Sequence, residues 1–233
     1  MTGQWLGLGL TLLGLTTTRA AAQPAVPLER EPRHRLVWQD GPVRILDVRI
    51  PPGDTTLFHI HDAPILYVPV ALSPMSTQIL GEPWTPPPPR DSSRFRLDAT
   101  QWDTLYAIRP VTHRVSNAGA TLFNLIGVLN RGRQPVASAR TDTPLPGTME
   151  KSSGWFRQTR VVLARGDSTE WVRSTRPVVL VQQSAGRTMV DRSLGSPGLL
   201  SEAGQWLYLA PDARFRLRSG TEQPTSVVVI EVR

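Results

Sequence analysis

The stretch Gly53-Asp54-Thr55-Thr56-Leu57-Phe58-His59-Ile60-His61 decides the fold, together with His113-Arg114-Val115-Ser116-Asn117 further along the chain. The chain has only four histidines, and three of them lie in these two stretches. Two histidines one residue apart on a β-strand point to the same face, because side chains alternate with a period of 2. A third imidazole from a later strand of the same sheet completes a set of three nitrogen ligands. The two stretches therefore predict a metal site formed by His59, His61 and His113.

Alternation of apolar and polar side chains dominates the remainder of the chain. Runs with a period of 2 cover residues 43–50, 55–61, 65–72, 94–98, 104–108 and 121–128. The chain also contains 22 prolines and 18 glycines, which suit short strands joined by turns. No convincing helical stripe follows the N-terminal segment. The pattern predicts an all-β protein with strands at the spacing of a sandwich or barrel.

The N-terminal segment has the features of a secretory signal. Residues 5–15 are apolar, and the small side chains of Ala20 and Ala22 fit a cleavage site before Gln23. We therefore expect residues 1–22 to be a signal peptide and the protein to be periplasmic or secreted, with no stable membrane anchor after cleavage. The segment before the apolar run contains no lysine or arginine, so an uncleaved anchor stays open as the alternative.

Charge and cysteine content exclude several classes of function. The net charge is +7, but the arginines are scattered singly and alternate with apolar residues, as in residues 94–97 and 214–217. This pattern is typical of solvated strand faces, and no nucleic-acid-binding motif accompanies it. We therefore expect no nucleic-acid partner. The absence of cysteine excludes disulfides, zinc–thiolate sites and thiol nucleophiles.

An internal repeat divides the chain into two related halves. Residues 53–56, Gly-Asp-Thr-Thr, recur as residues 166–169, Gly-Asp-Ser-Thr, and residues 64–66, Pro-Ile-Leu, recur as residues 177–179, Pro-Val-Val. The repeat predicts an N-terminal domain over residues 23–140, which carries a proline-rich loop at 82–91. A degenerate C-terminal domain is expected over residues 141–233, with the linker near residues 134–151.

These motifs resemble those of the cupin superfamily. Its first motif reads G-x5-H-x-H-x(3,4)-E-x6-G, and Gly53, His59 and His61 fit its opening at the correct spacing. The second motif ends in H-x3-N, which His113 and Asn117 fit. The resemblance implies two double-stranded β-helix barrels, or jelly rolls, in one chain. It also implies a metal ion held inside the first barrel by the three histidines.

The first half departs from the family pattern at the glutamate of the first motif. That glutamate falls at Ile65 or Leu66, and both side chains are apolar. The site is therefore expected to use three histidines with water, or with a substitute ligand. The nearest oxygen-bearing side chains are Asp62, Tyr67 and Gln78, and their spacing favours none of them.

The second half has lost the three histidines. Val172 and Ser174 stand at the positions of the first two, and Arg214 or Phe215 stands at the position of the third. We expect this barrel to be structural, covering the first barrel or forming a homodimer. A buried Arg214 that binds an anion is the less favoured alternative.

Four further residues receive structural interpretations. Asn117 is interpreted as a turn residue that closes its strand rather than as a ligand. His34 lies between two arginines and is expected to be solvated. Phe58 and Ile60 alternate with the histidines and should face the other side of the strand. The proline run and its neighbouring tryptophan predict a solvated loop, with a lid or a polyproline segment for a partner as alternatives.

A three-histidine site has chemical consequences for the ligand. Imidazoles bind iron, copper, nickel and zinc well and manganese less well, so the cofactor is expected to be one of these divalent ions. Without a carboxylate the ion keeps its full double charge, which favours a small anionic or chelating ligand. We expect a dioxygenase-like oxidoreductase that acts on a small oxygen-rich molecule. A non-catalytic binding module and an interaction protein that uses the proline loop remain open.

Overall fold

The computed structural model describes residues 24–89, 96–133, 144–220 and 223–233. The predicted signal peptide, residues 1–22, lies outside these ranges. Residues 90–91 of the proline-rich loop and most of the predicted linker also lie outside them. Among the residues that the structure describes, no helix is long and apolar enough to cross a lipid bilayer.

The first half of the chain forms two sheets. Its strands are β1 (Val26–Pro27), β2 (His34–Asp40), β3 (Val43–Ile50), β4 (His59–His61), β5 (Ile65–Ala71), β6 (Met75–Ile79), β7 (Gln101–Asp103), β8 (Val111–Asn117) and β9 (Phe123–Asn130). Sheet I has the order β1-β4-β8-β6, and sheet II has the order β2-β3-β9-β5-β7. Two 3₁₀ turns, Leu28–Arg30 and Leu105–Ala107, lie between strands.

The second half repeats this arrangement. Its strands are β10 (Thr148–Ser152), β11 (Phe156–Leu163), β12 (Val172–Arg173), β13 (Val178–Gln182), β14 (Thr188–Arg192), β15 (Gly198–Leu200), β16 (Trp206–Leu209), β17 (Arg214–Ser219) and β18 (Thr225–Val232). Sheet III has the order β10-β11-β18-β13-β16, and sheet IV has the order β12-β17-β14-β15. Sheet III therefore matches sheet II strand for strand, and β12-β17-β14 of sheet IV match β4-β8-β6 of sheet I.

The internal repeat predicted from the sequence is also visible in the backbone conformation of two equivalent turns. Gly53 and Gly166, which open the two copies of the Gly-Asp motif, both adopt a left-handed backbone conformation, with φ of 73° and 78°. Glycine adopts this conformation without the steric cost that a Cβ atom imposes. The chain thus contains two jelly-roll barrels of one topology, in agreement with the all-β prediction.

The strand prediction was right for some runs and wrong for others. Strand β3 spans Val43–Ile50, as predicted. The prediction of a strand at residues 104–108 is wrong. The Asp103 side chain accepts a hydrogen bond from the Leu105 amide at 2.9 Å, and a 3₁₀ turn begins there. The described part of the run 94–98 forms a turn rather than a strand. In the run 55–61, only the last three residues belong to a strand.

Sheet II has apolar side chains on both faces, because each face packs against a different layer. One face, which includes Leu46, Val48 and Ile65, forms the core of the first barrel. The other face packs against sheet III. The core between sheets II and III consists of Val43, Ile45, Leu66, Val68, Ile126, Val128, Phe156, Val179, Val181, Val228, Ile230 and Val232. The two barrels therefore pack against each other within one chain, back to back through sheets II and III.

Polar contacts also join the two barrels at the edges of this core. The Asn130 side chain on β9 donates hydrogen bonds to the carbonyls of Arg233 and Trp155, at 2.7 and 3.2 Å. Thr100 donates to the Gln158 side chain, and both residues are buried. Buried polar groups of this kind must be paired, so these contacts fix how one barrel sits on the other.

Candidate metal centre

Two neighbouring strands of sheet I carry the three predicted ligands. His59 and His61 lie on β4, and His113 lies on β8, where it is the direct antiparallel partner of His59. The prediction that Phe58 faces the other side of the strand agrees with its contact, because the guanidinium of Arg114 stacks over its ring at 4.6 Å. Strand alternation therefore turns all three imidazoles toward the barrel interior.

The three imidazoles converge on one point. Their ligand nitrogens all lie within 4.8 Å of one another. The ring centroids of His59 and His61 are 5.1 Å apart, and that of His113 lies 4.7 and 4.8 Å from them. Two nitrogens that bind one zinc ion lie at most about 4.2 Å apart, because each bond is about 2.1 Å long. The separation of 4.8 Å is only slightly longer than this limit, so the three nitrogens are close to the arrangement that one ion requires.

His59 has the tautomer and the charge state of a metal ligand. Its Nδ1 lies 2.9 Å from the Leu57 carbonyl, which can only accept, so Nδ1 carries the proton and Nε2 keeps its lone pair. Nε2 is buried and has no hydrogen-bond partner among the described residues. Burial, together with the neighbouring His34 and His113, lowers the pKa of the imidazole to about 2, although the Leu57 hydrogen bond opposes them. His59 is therefore neutral at neutral pH.

The expectation that His34 is solvated is wrong. Only 4% of His34 is exposed, and its ring centroid lies 4.4 Å from that of His59 and 6.4 Å from that of His61. His34 begins β2 and is the partner of Val48, on the face of sheet II that forms the first-barrel core. In addition, β1 pairs with β4 in parallel, with Val26 as the partner of His59. This pairing brings the N-terminal segment against the site, so all four histidines of the chain meet in one place.

A buried carboxylate holds His34 in position. Glu31 is 2% exposed, and its Oε2 lies 2.7 Å from Nδ1 of His34. The same carboxylate accepts the amide hydrogens of Arg33 and Leu57, at 2.7 and 3.1 Å. Burial raises the pKa of the Glu31 carboxyl, but these hydrogen bonds more than offset it, so the pKa is lowered from its ordinary value. No motif signals Glu31 and His34 in the sequence, because a long-range strand pairing positions them.

A cavity opens beside the histidines inside the first barrel. Its volume is 290 Å³, and it is lined by His34, Val48, Ile50, His61, Tyr67, Met75, Thr77, Tyr106, His113, Val115 and Phe123. The Tyr106 ring, from the 3₁₀ turn predicted as a strand, lies 4.8 Å from that of His61. The described lining contains no aspartate, glutamate, lysine or arginine. The histidines thus face a small pocket whose other walls are mostly apolar and aromatic.

The three side chains considered as oxygen ligands lie in different surroundings. Asp62 pairs with Arg131 at 2.6 Å and is half exposed, and Gln78 accepts a hydrogen bond from Arg114, so neither belongs to the cavity. Tyr67 is buried and lines the cavity. Ile65 is completely buried in the core of the first barrel, and Leu66 is completely buried in the core between sheets II and III.

The second barrel has an apolar side chain where the third histidine stands. Val172 is the direct partner of Phe215, as His59 is of His113, so Phe215 rather than Arg214 occupies the equivalent position. Phe215 is completely buried in the core of the second barrel. The alternative of a buried Arg214 is wrong, because this residue is exposed and its guanidinium lies over the Trp171 ring.

Two other interpretations agree with the structure. Asn117 is buried, and its side chain donates to the carbonyls of Ile50 and Thr121 and accepts the Gly119 amide hydrogen, so it closes the turn after β8. The described part of the proline-rich loop is mostly exposed. It is held by reciprocal backbone hydrogen bonds between Thr85 and Thr77 and by a hydrogen bond from the Gln78 side chain to the Glu82 carbonyl. In addition, Arg114 stacks on the Trp84 ring at 5.0 Å.

Comparison with solved structures identifies the fold. No protein-family model and no curated protein matches the sequence. AerE of Microcystis aeruginosa is similar in structure, with 12% identity and a TM-score of 0.58 over 84% of this chain and 90% of that one. A salicylate 1,2-dioxygenase of Pseudaminobacter salicylatoxidans has 12% identity and a TM-score of 0.54 over 82% and 70% of the two chains.

A third similar structure carries the family name. It is a cupin 2 conserved barrel domain protein of Leptotrichia buccalis, with 10% identity and a TM-score of 0.50 over 85% of this chain and 87% of that one. The match spans both halves of the chain, as do the matches to the other two proteins. This chain therefore has a cupin-type barrel fold, with two barrels in one chain and the histidines in the first.

Proposed function

We propose that the first barrel binds one divalent transition metal ion through His59, His61 and His113, and that the centre acts on a small oxygen-bearing molecule as a dioxygenase-like oxidoreductase. The observation that carries this proposal is the buried Nε2 of His59. This nitrogen has no hydrogen-bond partner among the described residues and lies within 4.8 Å of the other two ligand nitrogens. A buried polar atom without a partner is costly, and an ion would remove that cost.

The donor set narrows the choice of ion and chemistry. Three neutral imidazoles suit iron, copper, nickel, zinc or manganese, and three protein ligands leave positions for water or substrate. An ion bound there would polarise a ligand oxygen and, if it is iron or copper, allow chemistry with dioxygen. The protein itself orients His59 through the Leu57 carbonyl and lines the cavity beside the site mostly with apolar and aromatic side chains.

The size and lining of the cavity define the class of ligand. A cavity of about 150 Å³ holds a benzene molecule, so 290 Å³ suits one substituted ring or an acyclic molecule of similar size. Since the described lining has no charged carboxylate, lysine or arginine, an anionic group of the ligand finds its compensating charge at the ion. The structurally similar salicylate dioxygenase has been solved in complex with gentisate, which supports a small oxygen-bearing ligand here.

A non-catalytic binding module is the second candidate. It is favoured by Ile65, an apolar side chain where the family motif has a glutamate. A site without that carboxylate captures a chelating molecule as readily as it transforms one. Oxygen consumption separates the two functions.

Metal analysis of tag-free full-length protein tests the proposal. We expect one equivalent of iron, copper, nickel, zinc or manganese, which His59→Ala and His113→Ala each remove. The matched control is Ser174→Ala, at the equivalent of His61 in the second barrel, which should keep the ion. Absence of metal under every loading condition overturns the proposal. Oxygen uptake with catechol as substrate then distinguishes catalysis from capture.

Export from the cytoplasm is a separate part of the proposal. It is supported by the apolar run at residues 5–15 and by the small residues before Gln23. Fractionation of cells that express the full chain, with N-terminal sequencing of the product, tests it. A mature protein that begins at Gln23 outside the cytoplasm is expected, and an uncleaved cytoplasmic protein overturns it.

A further inference from the structure

The pair formed by Glu31 and His34 lies outside both metal-binding motifs but reaches the cavity beside the histidine site. His34 is on β2 of sheet II, whereas the three candidate ligands are on sheet I. Its ring lines the cavity together with His61 and His113. It does not belong to the group whose ligand nitrogens lie within 4.8 Å of one another. His34 is therefore placed to contact a molecule bound in the cavity rather than to bind the ion.

The hydrogen bonds of Glu31 fix the tautomer of His34. The Glu31 carboxylate is buried and accepts three hydrogen bonds, from the amides of Arg33 and Leu57 and from Nδ1 of His34. A carboxylate only accepts, so Nδ1 of His34 carries the proton. In the neutral ring the remaining nitrogen, Nε2, is then a hydrogen-bond acceptor, and it is the nitrogen left to the cavity.

We propose that His34, oriented by Glu31, is a ligand-binding residue that accepts a hydrogen bond from a hydroxyl group of the molecule bound in the cavity. The proposal rests on the proposed metal function and deepens it. The favoured ligands carry two neighbouring oxygens: one that binds the ion and one hydroxyl that donates to Nε2 of His34. Small ortho-dihydroxy or α-hydroxy compounds have this arrangement, and their remaining atoms fit the apolar walls formed by Tyr67, Tyr106 and Phe123.

Glu31 is a positioning residue in this arrangement and serves the candidate ligand His59 as well. Its Oε1 accepts the Leu57 amide hydrogen at 3.1 Å, and the Leu57 carbonyl accepts Nδ1–H of His59 at 2.9 Å. One carboxylate therefore orients the ligand-binding histidine directly and a metal-binding histidine through one residue of the backbone. Partners of this kind fix ring orientation in metalloproteins.

A binding experiment with two probes tests the proposal. Cobalt(II) is loaded into full-length wild type, His34→Phe, Glu31→Gln and the control Arg35→Ala, which changes an exposed side chain on the same strand. Metal content is measured first, and then the affinities for catechol and for 2-methoxyphenol are measured by titration calorimetry. The second probe keeps one hydroxyl, but its neighbouring oxygen has no proton to donate.

We expect wild type and Arg35→Ala to bind catechol more tightly than 2-methoxyphenol, by roughly tenfold, as the loss of one hydrogen bond implies. In His34→Phe the metal should stay, and the preference should disappear. In Glu31→Gln the preference for catechol should decrease. The glutamine side chain has one acceptor oxygen, whereas the Arg33 amide, the Leu57 amide and Nδ1 of His34 all donate to the wild-type carboxylate.

Three results overturn the proposal, and a fourth overturns the metal function itself. A preference for catechol that persists in metal-loaded His34→Phe shows a steric origin in the cavity. Loss of metal from His34→Phe alone places His34 among the ligands of the ion. Failure of catechol to bind metal-loaded wild type excludes the hydroxyl contact. Absence of metal from wild type overturns the proposed function first, and this inference with it.

Discussion

His59 and His113 are direct partners across antiparallel strands, and Val172 and Phe215 have the same relationship in the second barrel. The two pairs occupy equivalent places, because β12-β17-β14 of sheet IV match β4-β8-β6 of sheet I. One register therefore gives a polar, metal-ready pair in the first barrel and a completely apolar pair in the second. At this pair of positions, the two barrels differ in their side chains and not in their strand pairing.

Replacement of Phe215 tests the structural role of the second barrel. Phe215→Ala removes a fully buried ring and should lower the free energy of unfolding by about 3–5 kcal/mol. Metal content and affinity should stay at their wild-type values, because the residue belongs to the core of the second barrel. Urea denaturation and metal analysis provide the two readouts, and loss of the ion would contradict this assignment.

The core between sheets II and III predicts a second stability effect. Leu66 is completely buried in that core, so Leu66→Ala should destabilise the protein by about 2–5 kcal/mol. Leu36→Ala serves as the control, since Leu36 is 38% exposed on the same sheet and its loss should cost less than about 1 kcal/mol. Equal effects of the two substitutions would mean that the inter-barrel contact contributes little.

The surface position of Asp62 yields a prediction about the ion. Asp62 forms a half-exposed ion pair with Arg131 and does not line the cavity. Asp62→Asn should therefore leave the metal affinity unchanged and alter stability by less than about 1 kcal/mol. Competition with a chelator of known affinity measures this, and a loss of affinity in Asp62→Asn would place the carboxylate near the ion.

Acid should destabilise the metal-free protein through His59. Its pKa falls from 6.5 to about 2 on folding, chiefly because the ring is buried. The folded state therefore binds fewer protons than the unfolded state between these values. The contribution of His59 to stability is complete above pH 6.5 and decreases as the pH falls from 6.5 toward 2.

The matched variant His59→Gln isolates this effect, because glutamine does not titrate. Urea midpoints of chelator-treated wild type and variant, measured between pH 7.5 and pH 4.5, give the two slopes. The wild type should lose stability more steeply. Parallel curves would show that His59 is protonated in the folded state.

The sequence was sufficient for the fold and for three of the four clustered histidines. Strand alternation places His59 and His61 on one face, the resemblance to the second cupin motif adds His113, and the repeated Gly-Asp turn marks the two barrels. Alternation also accounts for β3, whose predicted and observed limits agree. All of these are patterns of residue type and spacing that the sequence itself displays.

His34 and the 3₁₀ turn at Leu105–Ala107 were missed for the opposite reason. The flanking arginines of His34 indicated solvent, but Arg33 forms an ion pair with Asp54, and the ring faces the first-barrel core from β2, opposite Val48. The turn begins at a single hydrogen bond to Asp103, which alternation cannot signal. Long-range pairing and one side-chain contact decided these features.

The apolar core shared by sheets II and III couples the two barrels thermodynamically. Neither barrel can unfold without exposing the face that the other covers, so the chain should melt in one cooperative transition. An ion at His59, His61 and His113 stabilises the folded state by RT ln(1 + [L]/Kd). That stabilisation extends across the core to the barrel without histidines. Trp206 packs against this core from the second barrel, so the unfolding transition of its surroundings should move to higher temperature when the site in the first barrel is occupied.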